Sequence, residues 1–212
     1  MKKLLNTIVA LSLVVSTHSF AGIINGDFES GLTSWTTTNN VSTTSSALSG
    51  AQSAYVNNYS LSLSALDSFF GLTANTFSNS LDCSDEPCLE GSGLYQSVSY
   101  NAGDILSFDW MTTLENSSEY VDWVGFVVEG TVIQLGNGVN TADNTLFNTE
   151  YTFLNSGSSF FGFVVGDGGD GCCGSTMKID NVAITSVPEP THIALLGLGL
   201  AALGFSRRKV QG

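Results

Sequence analysis

The sequence predicts an all-β protein, a single jelly-roll-like antiparallel β-sandwich with one short helix. Three observations lead to this fold class: short segments alternate between apolar and polar residues, polar turn signals separate them, and the central part of the chain is long enough for one core. The clearest alternation covers residues 105–114, where Leu106, Phe108 and Trp110 share one face. Many short strands joined by polar turns are typical of a sandwich.

Five further segments have the composition of strands. They are residues 120–129, 131–135, 150–154, 159–165 and 177–185. Glycine- and asparagine-rich turns lie between them, as in residues 101–104, 136–138 and 166–171. The stretch SALDSFFGL instead predicts the short helix, with Ser64 as its N-cap, Asp67 at the third helical position and Gly71 near its end.

The N-terminus has the pattern of an export signal. Lys2 and Lys3 precede an apolar run over residues 4–15, and Ser19 and Ala21 are the small residues that a signal peptidase requires. The alternative is an uncleaved N-terminal anchor, for which the apolar run is too short. We therefore expect residues 1–21 to be removed.

The C-terminus contains a second apolar segment, residues 191–206, followed by Arg207, Arg208 and Lys209. As a helix its 16 residues would reach about 24 Å, which is short of a hydrocarbon core of about 30 Å, so the segment could only just span it. A basic cluster after an apolar run is held on the cytoplasmic side of the membrane, so the body of the chain is expected on the opposite, non-cytoplasmic side.

Together with the triplet Pro188, Glu189 and Pro190, this tail resembles the PEP-CTERM sorting signal. The resemblance implies transient insertion into the inner membrane of a Gram-negative bacterium and recognition by an exosortase-like membrane peptidase. Cleavage near the triplet would release the protein to the cell surface or the extracellular matrix. The alternative is a transmembrane helix that stays as an anchor. The expected organisation is thus a signal peptide (1–21), a β-sandwich (22–187) and a sorting signal (188–212).

Charge restricts the partners of the body. Residues 22–187 contain 18 acidic side chains and one basic side chain, Lys178, which gives a net charge of −17. Nucleic acid and anionic lipid surfaces are therefore excluded as expected partners, and an acidic polysaccharide would require a bridging cation.

The chemistry available to the body is also restricted. His18 lies in the signal, His192 lies in the tail, and the body contains no arginine. Catalytic triads, histidine-ligated zinc and arginine clamps are thereby excluded, and we predict no catalytic residue. A carboxylate-based glycoside hydrolase using Glu115 and Glu119 stays as a remote alternative.

Two stretches of the body, NGDFESGLTSW and KIDNVAI, resemble the first and last strands of galactose-binding-like jelly rolls, the fold of several carbohydrate-binding modules. The segments between them resemble β-sandwich domains that precede PEP-CTERM tails. The resemblance implies a structural calcium between the first and last strands, with carboxylates from Glu29 and Asp180 and a carbonyl or carboxylate from Asp27. The alternative is that Glu29 and Asp180 are ordinary polar strand ends. A weaker acidic candidate is the pair Asp167 and Asp170.

The tryptophans are the candidates for stacking on a sugar ring. Trp110 and Trp123 continue apolar faces and are predicted to lie in the core. Trp35 follows a glycine turn and is a possible sugar contact, with capping of the core as the alternative.

Four cysteines occur in a chain marked for an oxidising compartment: Cys83, Cys88, Cys172 and Cys173. A bond between the adjacent Cys172 and Cys173 would strain the intervening peptide, so two cross-links between the pairs are expected. The alternative is a metal site, which for zinc would need all four thiolates.

The sequence thus predicts an exported surface or matrix protein of structural or interaction type, not an enzyme. The alternative is a carbohydrate-binding module acting on a neutral exopolysaccharide.

Overall fold

The computed structural model describes residues 22–81, 88–115, 120–169 and 174–187, and the single residue Gly197 beyond them. The strands in chain order are β1 (Thr36–Thr37), β2 (Val41–Thr44), β3 (Ser53–Asn57), β4 (Leu61–Ser62), β5 (Glu90–Tyr100), β6 (Ile105–Thr113), β7 (Trp123–Val128), β8 (Thr131–Asn137), β9 (Phe147–Thr152), β10 (Gly157–Asp167) and β11 (Thr176–Thr185). Two helices, α1 (Leu63–Phe69) and α2 (Thr76–Ser80), lie between β4 and β5.

The strands form two antiparallel sheets. The first sheet has the order β1-β5-β10-β7-β8, with β4 also paired to β5, and the second has the order β2-β3-β11-β6-β9. Their inner faces pack on each other, which confirms the predicted β-sandwich. Each of the six strands predicted from alternation or composition overlaps an observed strand, with bounds shifted by a few residues.

The main core lies between the sheets and follows from strand alternation. Leu106, Phe108 and Trp110 of β6 face Phe161 and Phe163 of β10. Ring centroids of Phe108 and Phe163 are 4.8 Å apart in an edge-on arrangement, a geometry that aromatic pairs prefer. The prediction that Trp110 is a core residue is confirmed.

A second core covers the outer face of the first sheet. Leu66, Phe70 and Phe77, from the helical segment, pack on Trp123 and its neighbours on β7 and β10. We call this segment, residues 63–80, the helical cap. Trp123 is fully buried, but in this second core, because it points outward from β7 while Val124 points inward.

The prediction of one short helix was wrong in two respects. The N-cap of α1 is Ser62, whose hydroxyl accepts from Ala65 N, and not Ser64. The carboxylate of Asp67, a residue of α1, does not bond to its own helix at the N-terminus. It accepts hydrogen bonds from the amides of Asn75 (2.7 Å) and Phe77 (3.0 Å) at the start of α2. This contact satisfies two free amides at the start of α2, a helix that the sequence did not predict.

The stretch NGDFES is not a strand. Residues 24–34 form turns, in which Phe28 has a left-handed backbone (φ 54°) and packs its ring into the main core. Gly26 lies directly against β11, since its carbonyl oxygen accepts from Val182 N at 2.9 Å. The segment is therefore a neighbour of the last strand, as the resemblance implied, although its backbone is not extended.

Candidate functional site

The outer face of the first sheet is left uncovered at the point where the helical cap ends. A pocket of about 320 Å³ lies there. We call it the aromatic pocket; its lining residues are Phe70, Gly71, Leu72, Ser97, Gly130, Ser158, Ser159 and Phe160.

Strand register places the side chains of this pocket. Phe160 of β10 lies opposite Ser97 of β5, and both point outward because Phe161 and Val98 point into the core. Gly71 has a positive φ of 65°, and a Cβ built there would lie 2.8 Å from the Phe160 ring. The turn after α1 therefore lies close to this ring and forms one wall of the pocket.

Three aromatic rings make the apolar part of this surface. The ring centroid of Tyr95 lies 4.6 Å from that of Phe160 and 4.9 Å from that of Phe69. Phe160 is 37% exposed, which is unusual for a phenylalanine in a well-packed sheet. Ser97 and Ser158 are exposed on the same face of the sheet and add hydroxyl groups to the pocket.

Among the residues that the structure describes, no charged side chain lines the aromatic pocket. Flat apolar rings beside hydroxyl groups suit a ligand with one apolar face and several hydroxyls, whereas an anion would be repelled by the net charge of the body. The sequence analysis did not identify this site. The adjacent Phe160 and Phe161 were the available signal, because neighbouring residues of a strand point to opposite faces.

Trp35, the residue predicted as a possible sugar contact, lies in the main core and is 7% exposed. Its ring packs against Phe28, Phe161 and Phe163, and its indole nitrogen donates to the carbonyl of Asn25 at 3.1 Å. Because no ring face is open to a ligand, the sugar-contact prediction was wrong and the capping alternative describes the residue.

Glu29 and Asp180 both hold the loop that precedes β3. Glu29 Oε1 accepts from the amides of Ala51 (2.6 Å) and Gln52 (3.2 Å). Asp180, which is 1% exposed, accepts from the Ser53 hydroxyl (2.7 Å) and, through the same oxygen, from the Ser49 amide (3.1 Å). The two ends of the domain are thus joined through one loop.

The charges of these carboxylates interact. Burial raises the pKa of Asp180, and the charge of Glu29 raises it further, against hydrogen bonds that lower it. Asp27 is exposed and its Oδ1 accepts from Glu29 N at 3.4 Å. Within the described ranges, no group of three or more acidic, cysteine or histidine side chains is placed to hold a metal ion. The predicted calcium at Asp27, Glu29 and Asp180 therefore stays a prediction that would also need carbonyl oxygens.

Several residues that the sequence analysis singled out for a site or a motif lie outside the described ranges. They are Cys83, Glu119, Asp170, Cys172, Cys173, Pro188, Glu189, Pro190, Arg207, Arg208 and Lys209. Glu115 is described, and its amide donates to Ser175 Oγ, but its proposed partner Glu119 is not placed. Cys88 is disulfide-bonded, and because the other three cysteines lie outside the described ranges, the pairing stays a prediction.

The described residues contain no helix that is long and apolar enough to cross a membrane. The apolar segment predicted to do so, residues 191–206, lies almost wholly outside them.

The fold and the C-terminal sequence together define a β-sandwich followed by a sorting signal. Residues 186–209 match the family described as the PEP-CTERM protein-sorting motif. The chain thus carries this motif, as the tail predicted, and the motif implies export with a C-terminal sorting tail.

No curated protein matches the chain significantly. Among solved structures, the chain is similar to a family 16 carbohydrate-binding module (16% identity, 77% of this chain and 99% of that chain, TM-score 0.40). It is also similar to a family 61 module in complex with β-1,4-galactotriose (16% identity, 78% and 97%, TM-score 0.42). A third is a family 22 xylan-binding domain from Paenibacillus barcinonensis (14% identity, 78% and 94%, TM-score 0.40). At these identities the likeness concerns the fold, and function has to be argued from the site.

Proposed function

We propose that the protein is a non-catalytic surface or extracellular-matrix protein that binds a neutral polysaccharide at the aromatic pocket. An exosortase-like membrane peptidase removes its tail after export. The sorting motif supports the destination. The observation that supports binding is the set of partly exposed rings, Phe69, Tyr95 and Phe160, beside serine hydroxyls and next to a pocket with no charged lining residue among those described.

The proposed absence of catalysis is supported by the composition of the body. Between residues 22 and 187 there is no histidine or arginine, and Lys178, its one basic residue, donates to Ser46 Oγ. Since no titratable side chain among the described residues lines the pocket, it can hold a sugar but offers no acid or base to cleave it.

We also propose that calcium stabilises the loop held by Glu29 and Asp180. The support is the buried position of Asp180 and its repulsion by Glu29, which a divalent cation would relieve. The carboxylates of both residues and nearby carbonyl oxygens would hold it.

Processing of the tail is tested by the intact mass of the protein recovered from the surface fraction of its native host. We expect a mature chain that lacks the segment after the Pro188-Glu189-Pro190 triplet. A surface protein that still carries Arg207, Arg208 and Lys209 would show that the tail is a permanent anchor.

Polysaccharide binding is tested with the purified protein on arrays of neutral and acidic glycans. Phe160→Ala is expected to lower the affinity for a bound neutral glycan about tenfold, because burying a phenyl ring against a ligand contributes roughly 1.5–3 kcal/mol. Leu154→Ala is the matched control, since Leu154 is 78% exposed and does not line the pocket. Equal binding by the two variants, or no binding of any neutral glycan by the wild type, would contradict the proposal.

A further inference from the structure

The sorting tail leaves the sandwich at one end, where a buried carboxylate holds the chain. Val187, the residue before the Pro188-Glu189-Pro190 triplet, donates its amide to Asp104 Oδ1 at 3.3 Å. Asp104 is 1% exposed and lies in the loop between β5 and β6. The chain is therefore fixed to the folded domain up to the residue that precedes the triplet.

The loop between β9 and β10 lies beside the same point. Gly103 N donates to the carbonyl of Phe153 at 2.8 Å, and Ala102 N donates to Ser156 Oγ at 2.9 Å. The two loops are thus joined next to Val187. We call this surface the exit end of the sandwich; it consists of residues 101–104, 153–157 and 185–187.

The exit end exposes no charged side chain. All its residues are described, and Asp104, the one ionisable residue among them, is buried. Leu154 is 78% exposed in its loop, and Val187 is 46% exposed. The exposed acid of β9, Glu150, lies two residues before that strand ends. The exit end thus presents apolar and small polar groups to the solvent, although the body has a net charge of −17.

The connection between this end and the apolar tail segment is short. That segment begins at Thr191, four positions after Val187, so even a fully extended chain reaches at most about 14 Å. The apolar segment itself reaches about 24 Å as a helix and has no length to spare for the connection. Headgroups cover the hydrocarbon core by about 5–8 Å on each side, so Val187 lies at most about 9 Å above them when the tail is inserted.

We propose that the exit end docks on the surface of a zwitterionic phospholipid bilayer while the tail is inserted, with Leu154 in the headgroup layer. The inference rests on the proposed function, in which the tail enters the membrane before an exosortase-like peptidase removes it. An exposed leucine gains free energy by leaving water for the interface. Asn155 and Ser156, exposed beside it, offer hydrogen-bond donors to lipid phosphates, and no exposed carboxylate of this end repels them.

The opposite end of the sandwich has a different surface and supplies the control. Strand β10 runs between the two ends over 11 residues. Near its far end Gly166 pairs with Trp123, which pairs with Asn137 of β8. The loop after Asn137 is therefore about 30 Å from the exit end. It exposes Val139 (66%), but also the carboxylate of Asp143, which lipid phosphates would repel.

The test is lipid quenching of a new tryptophan in the full chain, tail included, reconstituted into phosphatidylcholine vesicles that carry a spin label on part of their headgroups. Quenching of Leu154→Trp is expected to exceed that of Val139→Trp at least about fivefold, since only the first lies at the interface. Trp35, Trp110 and Trp123 are at most 7% exposed and give both variants the same background.

A second comparison separates docking from the mere shortness of the connection. Ala102→Trp places the probe on the neighbouring exposed loop, where Leu154→Asp can be added without touching the probe or the tail. The added carboxylate is expected to lower the quenching of this probe at least about threefold, because it is repelled by lipid phosphates while the tail stays inserted.

Flotation of the vesicles distinguishes failure of this inference from failure of the proposed function. A chain that does not float with the vesicles would contradict insertion of the tail, and the docking with it. A chain that floats, yet whose Leu154→Trp variant is quenched no more than Val139→Trp, overturns the docking alone. Equal quenching of Ala102→Trp with and without Leu154→Asp does the same.

Discussion

Replacing Trp123 with alanine is expected to lower the free energy of unfolding by about 3–5 kcal/mol, the usual range for removing a large buried aromatic side chain. The indole ring is fully buried, contacts Phe77 of the helical cap (ring centroids 6.0 Å apart) and occupies the space above Gly166. Its loss would leave a cavity between the first sheet and the cap. Urea unfolding followed by circular dichroism measures the change.

The same variant tests how the aromatic pocket is built. Because Phe70 and Gly71 of the cap form one wall, loosening the cap should also weaken glycan binding. Trp123→Phe keeps most of the packing and should lose far less stability. A loss below about 1 kcal/mol for Trp123→Ala would show that the cap does not depend on this residue.

Reduction of the disulfides is expected to cost about 4 kcal/mol, since a cross-link between the cysteine pairs closes a loop of about 90 residues. The β5–β10 register supports this pairing: Glu90 lies opposite Asp167, so Cys88 lies near Gly169, only a few residues before Cys172. Unfolding with and without reductant gives the size of the effect.

Non-reducing peptide mapping identifies the partners. We expect Cys88 joined to Cys172 or Cys173, and Cys83 joined to the other. A peptide in which Cys83 is bonded to Cys88 would contradict the pairing between distant segments, and the loss on reduction should then be much smaller because the closed loop is short.

The sequence predicted strands well where apolar and polar residues alternate. The β6 stretch, residues 105–113, is such a case. By contrast, β5 was not predicted, because Gly91 and Gly93 lower its β-propensity, and it becomes a strand by pairing along its whole length with β10. The local sequence pattern therefore identified strands in which apolar and polar residues alternate, and it missed β5, which is extended because it pairs with a neighbouring strand.

The candidate sites depend on contacts between distant segments, which no local pattern contains. Ser97 and Phe160 are 63 positions apart in the chain and become neighbours only through strand register. Helix α2 likewise starts where Asp67 binds its first amides. From its position after a turn, Trp35 was expected to be accessible to a ligand. Its ring is instead buried in the core, where it packs against Phe28, a residue with a left-handed backbone.

The position of β11 has a consequence for the order in which the protein can fold. This strand lies in the middle of the second sheet, between β3 and β6, and it ends at Thr185, immediately before the sorting motif. A chain exported with its N-terminus first delivers this central strand last, so the second sheet stays split into two unpaired halves during translocation. The sandwich can therefore close only when the tail reaches the membrane. Until then the incompletely folded chain can still be translocated.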